Sequence, residues 1–240
     1  MFHGVDDSNS VLSITPAALA SLIRAVQASG HRIVPLQTLL RSSTPDCVAL
    51  TFDDGFASVA ERAAPLLAQF AVPATLFLTT QHVGRDNRWP SQPSDAPLQP
   101  MMRWSDVRDL AGNGWAIEAH SLSHPDLRKL EDDALTRELR APSEAIERHT
   151  GQRPRCLAYP YGYFDARVAE RARADFEFAV TTVFRPLSRS EDPMRVPRLD
   201  SYYFRSHHVH DHFGSARFMA YLSARGAVRR FRKHPGEISR

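Results

Sequence analysis

The feature that most constrains the fold of this chain is a regular alternation of strand-like and helix-like segments. Short apolar runs recur along the sequence, separated by segments with the apolar spacing of helices. Runs of strand length are found at residues 33–36, 47–52, 74–79, 115–119, 157–159 and 178–182. This alternation predicts consecutive βα units, a parallel sheet and one core. With 240 residues, the chain is long enough for one α/β barrel or two small domains.

Capping residues and prolines predict where several helices begin and end. Thr15 before a proline is typical of a helix start, and Gly30 is a fitting stop. Residues 132–149 form a long charged helical segment, and residues 166–173 form a shorter one. Around Pro65 another helix is predicted, and the proline indicates a kink or a late start. Helices therefore separate the predicted strands.

One predicted loop is unusually long for a compact domain. Residues 81–102 contain four prolines and no strong periodic pattern before the short helix that opens at Trp104. Loops of this length are usually functional or disordered.

Polar side chains follow three of the predicted strands at their carboxyl ends. Asp53 and Asp54 come directly after the run at 47–52, and His120 comes directly after the run at 115–119. A Tyr-Pro-Tyr-Gly segment at 159–162 ends a third strand. Ligands of α/β folds bind at the carboxyl ends of the strands. We therefore expect these groups to meet on one face of the fold.

Each polar motif also has a simpler interpretation. In Thr-Phe-Asp-Asp-Gly at 51–55, the two carboxylates point in different directions, so that one can ligate a metal while the other stays free. The alternative is an ordinary Asp-Gly turn. His120 and His124 can face one ion if the chain turns helically after the strand. Because the chain has eleven histidines, a chance pair is the alternative there.

Taken together, the motifs predict a metal-dependent hydrolase. Asp54, His120 and His124 form a three-ligand set that leaves a coordination position open. A Zn²⁺ ion would lower the pKa of a water molecule at that position and polarise a carbonyl group. Asp53 could then take the proton of that water. A non-haem iron oxygenase also uses two histidines and one carboxylate, but it has no need of Asp53 and its fold is usually all-β.

The sequence resembles the polysaccharide deacetylases, also called the nodulation-protein-B homology family or carbohydrate esterase family four. The Thr-Phe-Asp-Asp-Gly motif at 51–55 matches the first family motif. A His-Ser/Thr-x-x-His motif is matched at 120–124, and the third motif ends in Pro-Tyr-Gly, found at 160–162. The Tyr-Pro-Tyr-Gly form is similar to the branch of poly-N-acetylglucosamine and other exopolysaccharide deacetylases. The resemblance extends from about residue 3 to residue 198.

The resemblance implies a fold and a reaction. The fold would be a single-domain distorted (β/α)₇ barrel over residues 1–214, followed by a basic helix or tail over 215–240. The enzyme would remove N-acetyl groups from amino sugars of a polysaccharide or oligosaccharide. The cofactor would be a divalent metal, with Zn²⁺ expected and Co²⁺, Ni²⁺, Mn²⁺ or Fe²⁺ as alternatives.

The family motifs also assign roles to residues. By resemblance, Asp53 is the catalytic base, and the metal ligands are Asp54, His120 and His124. Substrate and oxyanion contacts are implied for Tyr159, Pro160, Tyr161 and Gly162, with the backbone N–H of Tyr161 facing the oxyanion. The alternative for the two tyrosines is that they are rim aromatics without a specific contact.

Two departures from the family pattern leave roles to be filled. Many members have an arginine that steadies the base at the position of Ala158, and Arg195 and Arg198 are the candidates to replace it. No clean copy of the Leu-x-His motif that supplies the general acid is found. The candidates for that role are His3 and one of His207, His208, His210 and His212. The alternative interpretation of the histidines at 207–212 is a surface run. A catalytically weak or inactive glycan-binding barrel is therefore an alternative function.

Charge and cysteine usage add further expectations. Residues 215–240 hold seven of the 30 Lys and Arg residues but one of the 27 acidic ones. This tail predicts either a docked helix or contact with an anionic membrane, which would suit deacylation of a lipid-linked sugar. No nucleic-acid module is recognised. Cys47 and Cys156 are predicted to be buried free thiols. Without a recognisable signal peptide, the expected location is cytoplasmic, although the start looks short for the barrel.

Overall fold

The computed structural model of the chain describes residues 1–8, 10–42, 46–89, 92, 97–188 and 190–232, and the side chains at 207 and 230–232 are not described. In chain order the strands are β1 (Gly4–Val5), β2 (Ser13–Ile14), β3 (Arg32–Ile33), β4 (Cys47–Val48), β5 (Thr51–Phe52), β6 (Thr75–Leu78), β7 (Ala116–Ala119), β8 (Cys156–Ala158) and β9 (Phe178–Val180). The helices are α1 (Pro16–Ala28), α2 (Leu36–Arg41), α3 (Ala64–Gln69), α4 (Trp104–Gly112), α5 (Asp132–Thr150), α6 (Ala166–Arg173), α7 (His207–His210) and α8 (Ala216–Arg232).

A five-stranded parallel sheet forms the centre of the fold. Its strand order β5-β6-β7-β8-β9 follows the chain order, as the βα alternation predicts. The remaining strands form two short parallel pairs, β1 with β2 and β3 with β4. The observed fold is thus a mixed helix and strand domain built on a curled parallel half-barrel.

Segments beside the two edges of this sheet lie close to each other. Phe2 bridges to Phe52 at one edge, and Val196 bridges to Val180 at the other. The Met1 amino group donates to the Leu199 carbonyl at 2.6 Å. These contacts continue the curl beyond the five strands. The complete seven-unit barrel and the predicted division into 1–214 and 215–240 remain predictions.

Local signals explain how the helices begin and end. The Thr15 hydroxyl accepts a hydrogen bond from the Ala18 N–H at 3.2 Å, which caps α1 as predicted. Helix α5 ends at Gly151, which adopts the left-handed conformation with φ of 73°. Of the two alternatives predicted near Pro65, the structure has the late start, because α3 begins at Ala64 with the proline in its first turn, after a π-helical turn at Val59–Ala63.

Apolar side chains divide between the two faces of the sheet. One face packs under helices, with Leu76 and Ile117 in the largest core cluster and Leu157 in a cluster with residues of α5 and α6. The other face carries Phe77 and Ala158, which form a separate cluster. That cluster also contains Leu36, Cys156, Val180 and Val196. The second face therefore has its own small apolar core beneath the polar strand ends.

Some predicted elements differ from the observed ones. The strand predicted at 33–36 is wrong after Ile33, because Pro35 sets an extended bend and α2 begins at Leu36. The run at 47–52 is two short strands that pair with different partners. Of the two free cysteines, Cys156 is buried and Cys47 is only partly buried. The apolar run at 47–52 therefore predicted strand structure correctly, but it did not predict the break between β4 and β5.

The C-terminal helix packs onto the domain. Phe218 and Leu222 of α8 are buried in the largest core cluster. Val228 of the same helix is 46% exposed. His210 contradicts the predicted surface histidine run, since it is buried and its ring nitrogens contact the Ser21 hydroxyl and the Phe204 carbonyl. Among the described residues, no helix is both long and apolar enough to cross a membrane.

Candidate active site

Three predicted ligands meet at the carboxyl edge of the sheet. Asp54 follows β5 and His120 follows β7, while His124 lies at the end of the next turn. Oδ1 of Asp54 is 3.3 Å from Nε2 of His120 and 3.5 Å from Nε2 of His124. All three residues are buried. The sequence prediction that they converge is therefore correct.

The orientation of the His120 ring is fixed by a hydrogen bond on the side away from Asp54. Its Nδ1 lies 2.8 Å from the Ala158 carbonyl oxygen of β8. Because a carbonyl only accepts, Nδ1 carries the hydrogen, and in the neutral ring Nε2 presents a lone pair toward Asp54. Two electron-rich groups that face each other at 3.3 Å need a proton or a cation between them. The site is therefore built to hold a positive charge at this point.

These distances fit a metal ion. Two ligand atoms at about 2.1 Å from a tetrahedral Zn²⁺ are separated by about 3.4 Å. The ligand atoms of Asp54, His120 and His124 lie within 4.8 Å of one another. A carboxylate and two imidazoles also form the mixed oxygen and nitrogen donor set of open catalytic sites. The residues present could thus hold a divalent metal.

Several site residues have unusual backbone conformations. Asp54, Ser121, His124 and Tyr161 are non-glycine residues with φ between 59° and 71°. This left-handed region is costly for residues with a Cβ, and it is enriched at functional sites. The strand ends alone do not bring Asp54 and His124 together. The left-handed backbone conformations at these residues turn the chain so that the side chains meet. The helical turn expected between the two histidines is therefore wrong in its detail.

Arg198 holds the second aspartate. Its two terminal nitrogens lie 2.7 Å from the two carboxylate oxygens of Asp53, and both side chains are buried. Its Nε donates to the Thr181 carbonyl at 3.1 Å. Arg195, the other candidate for this role, instead approaches Asp192. Of the two candidate arginines, Arg198 is therefore the one that contacts Asp53.

The charges around the site control protonation. Burial alone would raise the pKa of the Asp53 carboxyl, but Arg198 and then His120 outweigh it and hold this pKa well below its usual range. Burial, with the charge of His120, lowers the pKa of His124 to about 3. Burial also acts to lower the pKa of His120, but Asp54 and Asp53 raise it overall. Asp53 is thus ionised and His124 neutral at neutral pH.

The Tyr-Pro-Tyr-Gly segment forms a tight turn beside the ligands. Tyr161 has φ of 60°, and its ring lies edge-on to His124 with centroids 4.5 Å apart. Pro160 and Gly162 are buried in this turn. Tyr159 lines the same cavity as the ligand histidines, and its hydroxyl donates to the Met194 carbonyl at 3.2 Å. The Tyr159 hydroxyl is therefore committed to the protein interior.

A cavity of about 350 Å³ opens over these groups. His3 lines it together with the aspartates and the ligand histidines, whereas His210 does not. Trp89, which the sequence did not single out, also lines it, and its ring lies 4.5 Å from His124. The only sequence signal for Trp89 was its place in the long loop at 81–102. The cavity therefore joins the predicted polar groups to an aromatic wall from that loop.

The arrangement defines a class of protein. A buried carboxylate and two imidazoles can hold a metal, and a second, ionised carboxylate stands beside them at the mouth of a cavity. This combination is typical of metal-dependent hydrolases. Family membership narrows the class further.

Comparison with known proteins identifies the family. The polysaccharide deacetylase family pattern matches residues 41–178. The chain is 30% identical over 153 residues to a chitin deacetylase of Colletotrichum lindemuthianum, which covers 62% of this chain and 57% of that protein. It is 21% identical over 196 residues to the poly-β-1,6-N-acetyl-D-glucosamine N-deacetylase of Staphylococcus epidermidis, covering 78% of this chain and 67% of that one.

A solved structure has the same fold. The Streptococcus pyogenes deacetylase PplD superposes with a TM-score of 0.72 at 20% identity, covering 83% of this chain and 89% of that chain. The chain belongs to the polysaccharide deacetylase family, and it is by that membership an amide hydrolase. The resemblance read from the sequence motifs is confirmed.

Proposed function

We propose that this protein is a metal-dependent N-deacetylase of an amino-sugar polymer or oligomer. The observation that carries the proposal is the pairing of two adjacent aspartates with different partners. Asp54 faces the two ligand imidazoles, and Asp53 is held by Arg198. A binding module has no need of a second, ionised carboxylate kept apart from the metal ligands. The geometry thus favours catalysis over passive glycan binding.

Each residue of the site would have one task. Asp54, His120 and His124 would hold the metal, which when bound supplies Lewis acidity toward the acyl oxygen and makes a nearby water more acidic. Asp53 would accept the proton of the attacking water. The Tyr161 backbone N–H would donate to the oxyanion.

The remaining step is departure of the amine. His3 lines the cavity and would donate a proton to the leaving nitrogen. Arg198 would keep Asp53 ionised and aimed at the water. Arg198 also removes the main argument for an inactive barrel, which was the missing partner of the base. In this reaction water cleaves the amide and leaves a free amine and acetate.

The substrate class follows from relatives and from the cavity. The two named relatives act on chitin and on poly-β-1,6-N-acetyl-D-glucosamine, both polymers of N-acetylglucosamine. The cavity has an aromatic wall that includes Trp89 and Tyr161, and such rings suit the apolar face of a sugar. We therefore propose an N-acetylglucosamine oligomer as substrate.

Acetate release tests the proposal directly. Purified protein is stripped with a chelator, reloaded with Zn²⁺, Co²⁺ or Mn²⁺, and incubated with chitin oligomers or β-1,6-linked oligomers. We expect acetate and free amine in equal amounts, only after reloading, and none from an Asp54→Asn variant. Acetate release by the stripped protein, or by the Asp54→Asn variant, at the rate of the reloaded wild type would contradict a metal-dependent function.

A further inference from the structure

The loop that carries both ligand histidines is held by a residue that does not touch the site. Glu138 lies on α5, and its side chain is 8% exposed. One of its carboxylate oxygens, Oε2, accepts hydrogen bonds from the N–H groups of Leu122 and Ser123, both at 2.9 Å. The other, Oε1, accepts from the Ser123 hydroxyl at 2.7 Å. A single carboxylate thus binds three donors of the loop between His120 and His124.

Other contacts hold the same loop from its remaining sides. The Ser121 hydroxyl accepts from the His124 N–H at 3.0 Å, and the Leu122 carbonyl accepts from the Gln81 N–H at 2.9 Å. Ser121 and His124 have φ of 59°. A left-handed conformation at such residues persists only where the surroundings over-determine it. Glu138 supplies more of these contacts than any other described side chain.

The position of Glu138 on its helix is unusual. The buried stripe of α5 otherwise consists of apolar residues, namely Leu135, Leu139, Pro142 and Ile146. A carboxylate in such a stripe costs free energy unless its hydrogen bonds are satisfied. Here all the donors come from the ligand loop. Glu138 therefore occupies a buried position of α5 where an apolar residue would be expected, and its carboxylate binds the ligand loop.

We propose that Glu138 is a positioning residue for the metal centre, a role that rests on the proposed function of the site. By fixing the turn at Leu122 and Ser123, Glu138 sets the distance and angle between the imidazoles of His120 and His124. Partners behind metal ligands typically account for about 10–100-fold in metal affinity. Glu138 acts one step further back, through the backbone of the loop.

Three variants of the full chain test this role. Glu138→Ala removes the three hydrogen bonds to the carboxylate, while the Leu122 N–H keeps its contact with the Glu138 backbone carbonyl at 3.1 Å. Glu138→Gln keeps the size but loses one acceptor oxygen. Glu144→Ala is the matched control, because Glu144 lies on the same helix and is exposed. For each, Zn²⁺ affinity is measured by competition with a chelator, Co²⁺ geometry by visible absorption, and metal-free stability by melting temperature.

We expect Glu138→Ala to lower Zn²⁺ affinity by about 10–100-fold and to shift the Co²⁺ absorption bands, with Glu138→Gln in between. Glu144→Ala should leave both unchanged. A purely structural role would lower the melting temperature of the metal-free protein and leave the Co²⁺ spectrum as in the wild type, which would overturn the proposal. If Glu138→Ala does not fold, Glu138→Gln decides, and an affinity within twofold of wild type overturns the proposal.

The same experiment separates this inference from the proposed function. If wild-type protein binds Zn²⁺ no more tightly than Asp54→Asn, the metal site itself is wrong. If wild type binds tightly and both Glu138 variants match it, the metal site stands and only the positioning role is wrong.

Discussion

Asp53 and Arg198 form a buried two-pronged ion pair, although 144 residues lie between them in the chain. Both nitrogen–oxygen distances are 2.7 Å. Arg198 also donates to the Thr51 hydroxyl at 3.2 Å, so that it contacts both β5 and the aspartate that follows this strand. The planar guanidinium matches the carboxylate in a way that a lysine ammonium cannot. Asp53 is therefore held in one orientation by a residue that lies far from it in the sequence.

Replacing Arg198 should damage both stability and activity. Arg198→Ala leaves the Asp53 carboxylate buried without a counter-charge, and we expect a loss of about 3–5 kcal/mol in the free energy of unfolding. Arg198→Lys should recover part of the stability but little activity, since it cannot bind both oxygens. Urea denaturation and kcat/KM measure the two effects. Arg195→Ala is the control, and an equal loss there would contradict the specific role of Arg198.

The two aspartates should separate in a metal assay. Asp53→Asn should keep the bound Zn²⁺ and lower kcat by about 10²-fold or more, because the water loses its proton acceptor. Asp54→Asn should lose the metal and the activity together. Metal content by elemental analysis, beside acetate release, distinguishes the two. Loss of metal from Asp53→Asn alone would mean that the assigned roles are reversed.

The contribution of His3 to the hydrolysis rate should be larger for a poor leaving group than for a good one. An amide must have its nitrogen protonated as it departs, whereas the phenolate of an activated aryl acetate departs unaided. We therefore expect His3→Gln to slow amide hydrolysis by about 10²-fold and to leave aryl acetate hydrolysis within a few-fold of wild type. His31→Gln serves as control, because His31 does not line the cavity. An equal loss on both substrates would argue against His3 as the acid.

Gly162 should not tolerate a side chain. A Cβ there would lie 2.2 Å from the Thr182 hydroxyl oxygen, and φ is 73°. Gly151 has the same φ and no atom within 4 Å of an added Cβ, so Gly151→Ala isolates the conformational cost of about 1–2 kcal/mol. Gly162→Ala should cost more stability and also displace Tyr161 and reduce activity. Adding Thr182→Ala should rescue part of both losses, and equal melting temperatures for the two glycine variants would contradict the clash.

The docked face of α8 gives a prediction about stability. Leu222→Ala should cost about 2–5 kcal/mol in unfolding free energy, whereas Met219→Ala, at a position 46% exposed, should cost little. Removing residues after Gly214 should yield an unstable or insoluble protein. A stable, active truncation that no longer binds anionic liposomes would instead support the membrane alternative, which remains a sequence prediction, as does the cytoplasmic location.

Local sequence patterns predicted the features that depend on residues close together in the chain, such as helix bounds and strand ends. The helix at Ala166–Arg173 has the predicted bounds, because an Asp165 cap and an apolar stripe lie within eight residues. Strand ends located Asp53, Asp54 and His120 because parallel strands share one carboxyl edge. These signals need no knowledge of the distant chain.

Contacts between residues that lie far apart in the chain could not be predicted from such local patterns. The choice between Arg195 and Arg198 depended on which one turns toward Asp53 across the sheet, and no periodicity encodes that. Glu138 was missed, although a charge within the apolar stripe of α5 was a visible signal. The left-handed turn at His124 was also missed, because non-glycine residues rarely adopt this conformation.

The separation of Asp53 from Arg198 also bears on biosynthesis. The segment containing β5 through β9 emerges from the exit tunnel of the ribosome before Arg198 does. During that interval a native-like sheet would bury an unpaired carboxylate, which is strongly unfavourable. We therefore expect the nascent chain to delay final packing until residues 196–198 emerge from the exit tunnel. Limited proteolysis of ribosome-bound chains should show protection only when synthesis has passed Arg198 by the length of the tunnel, and earlier protection would contradict this order of assembly.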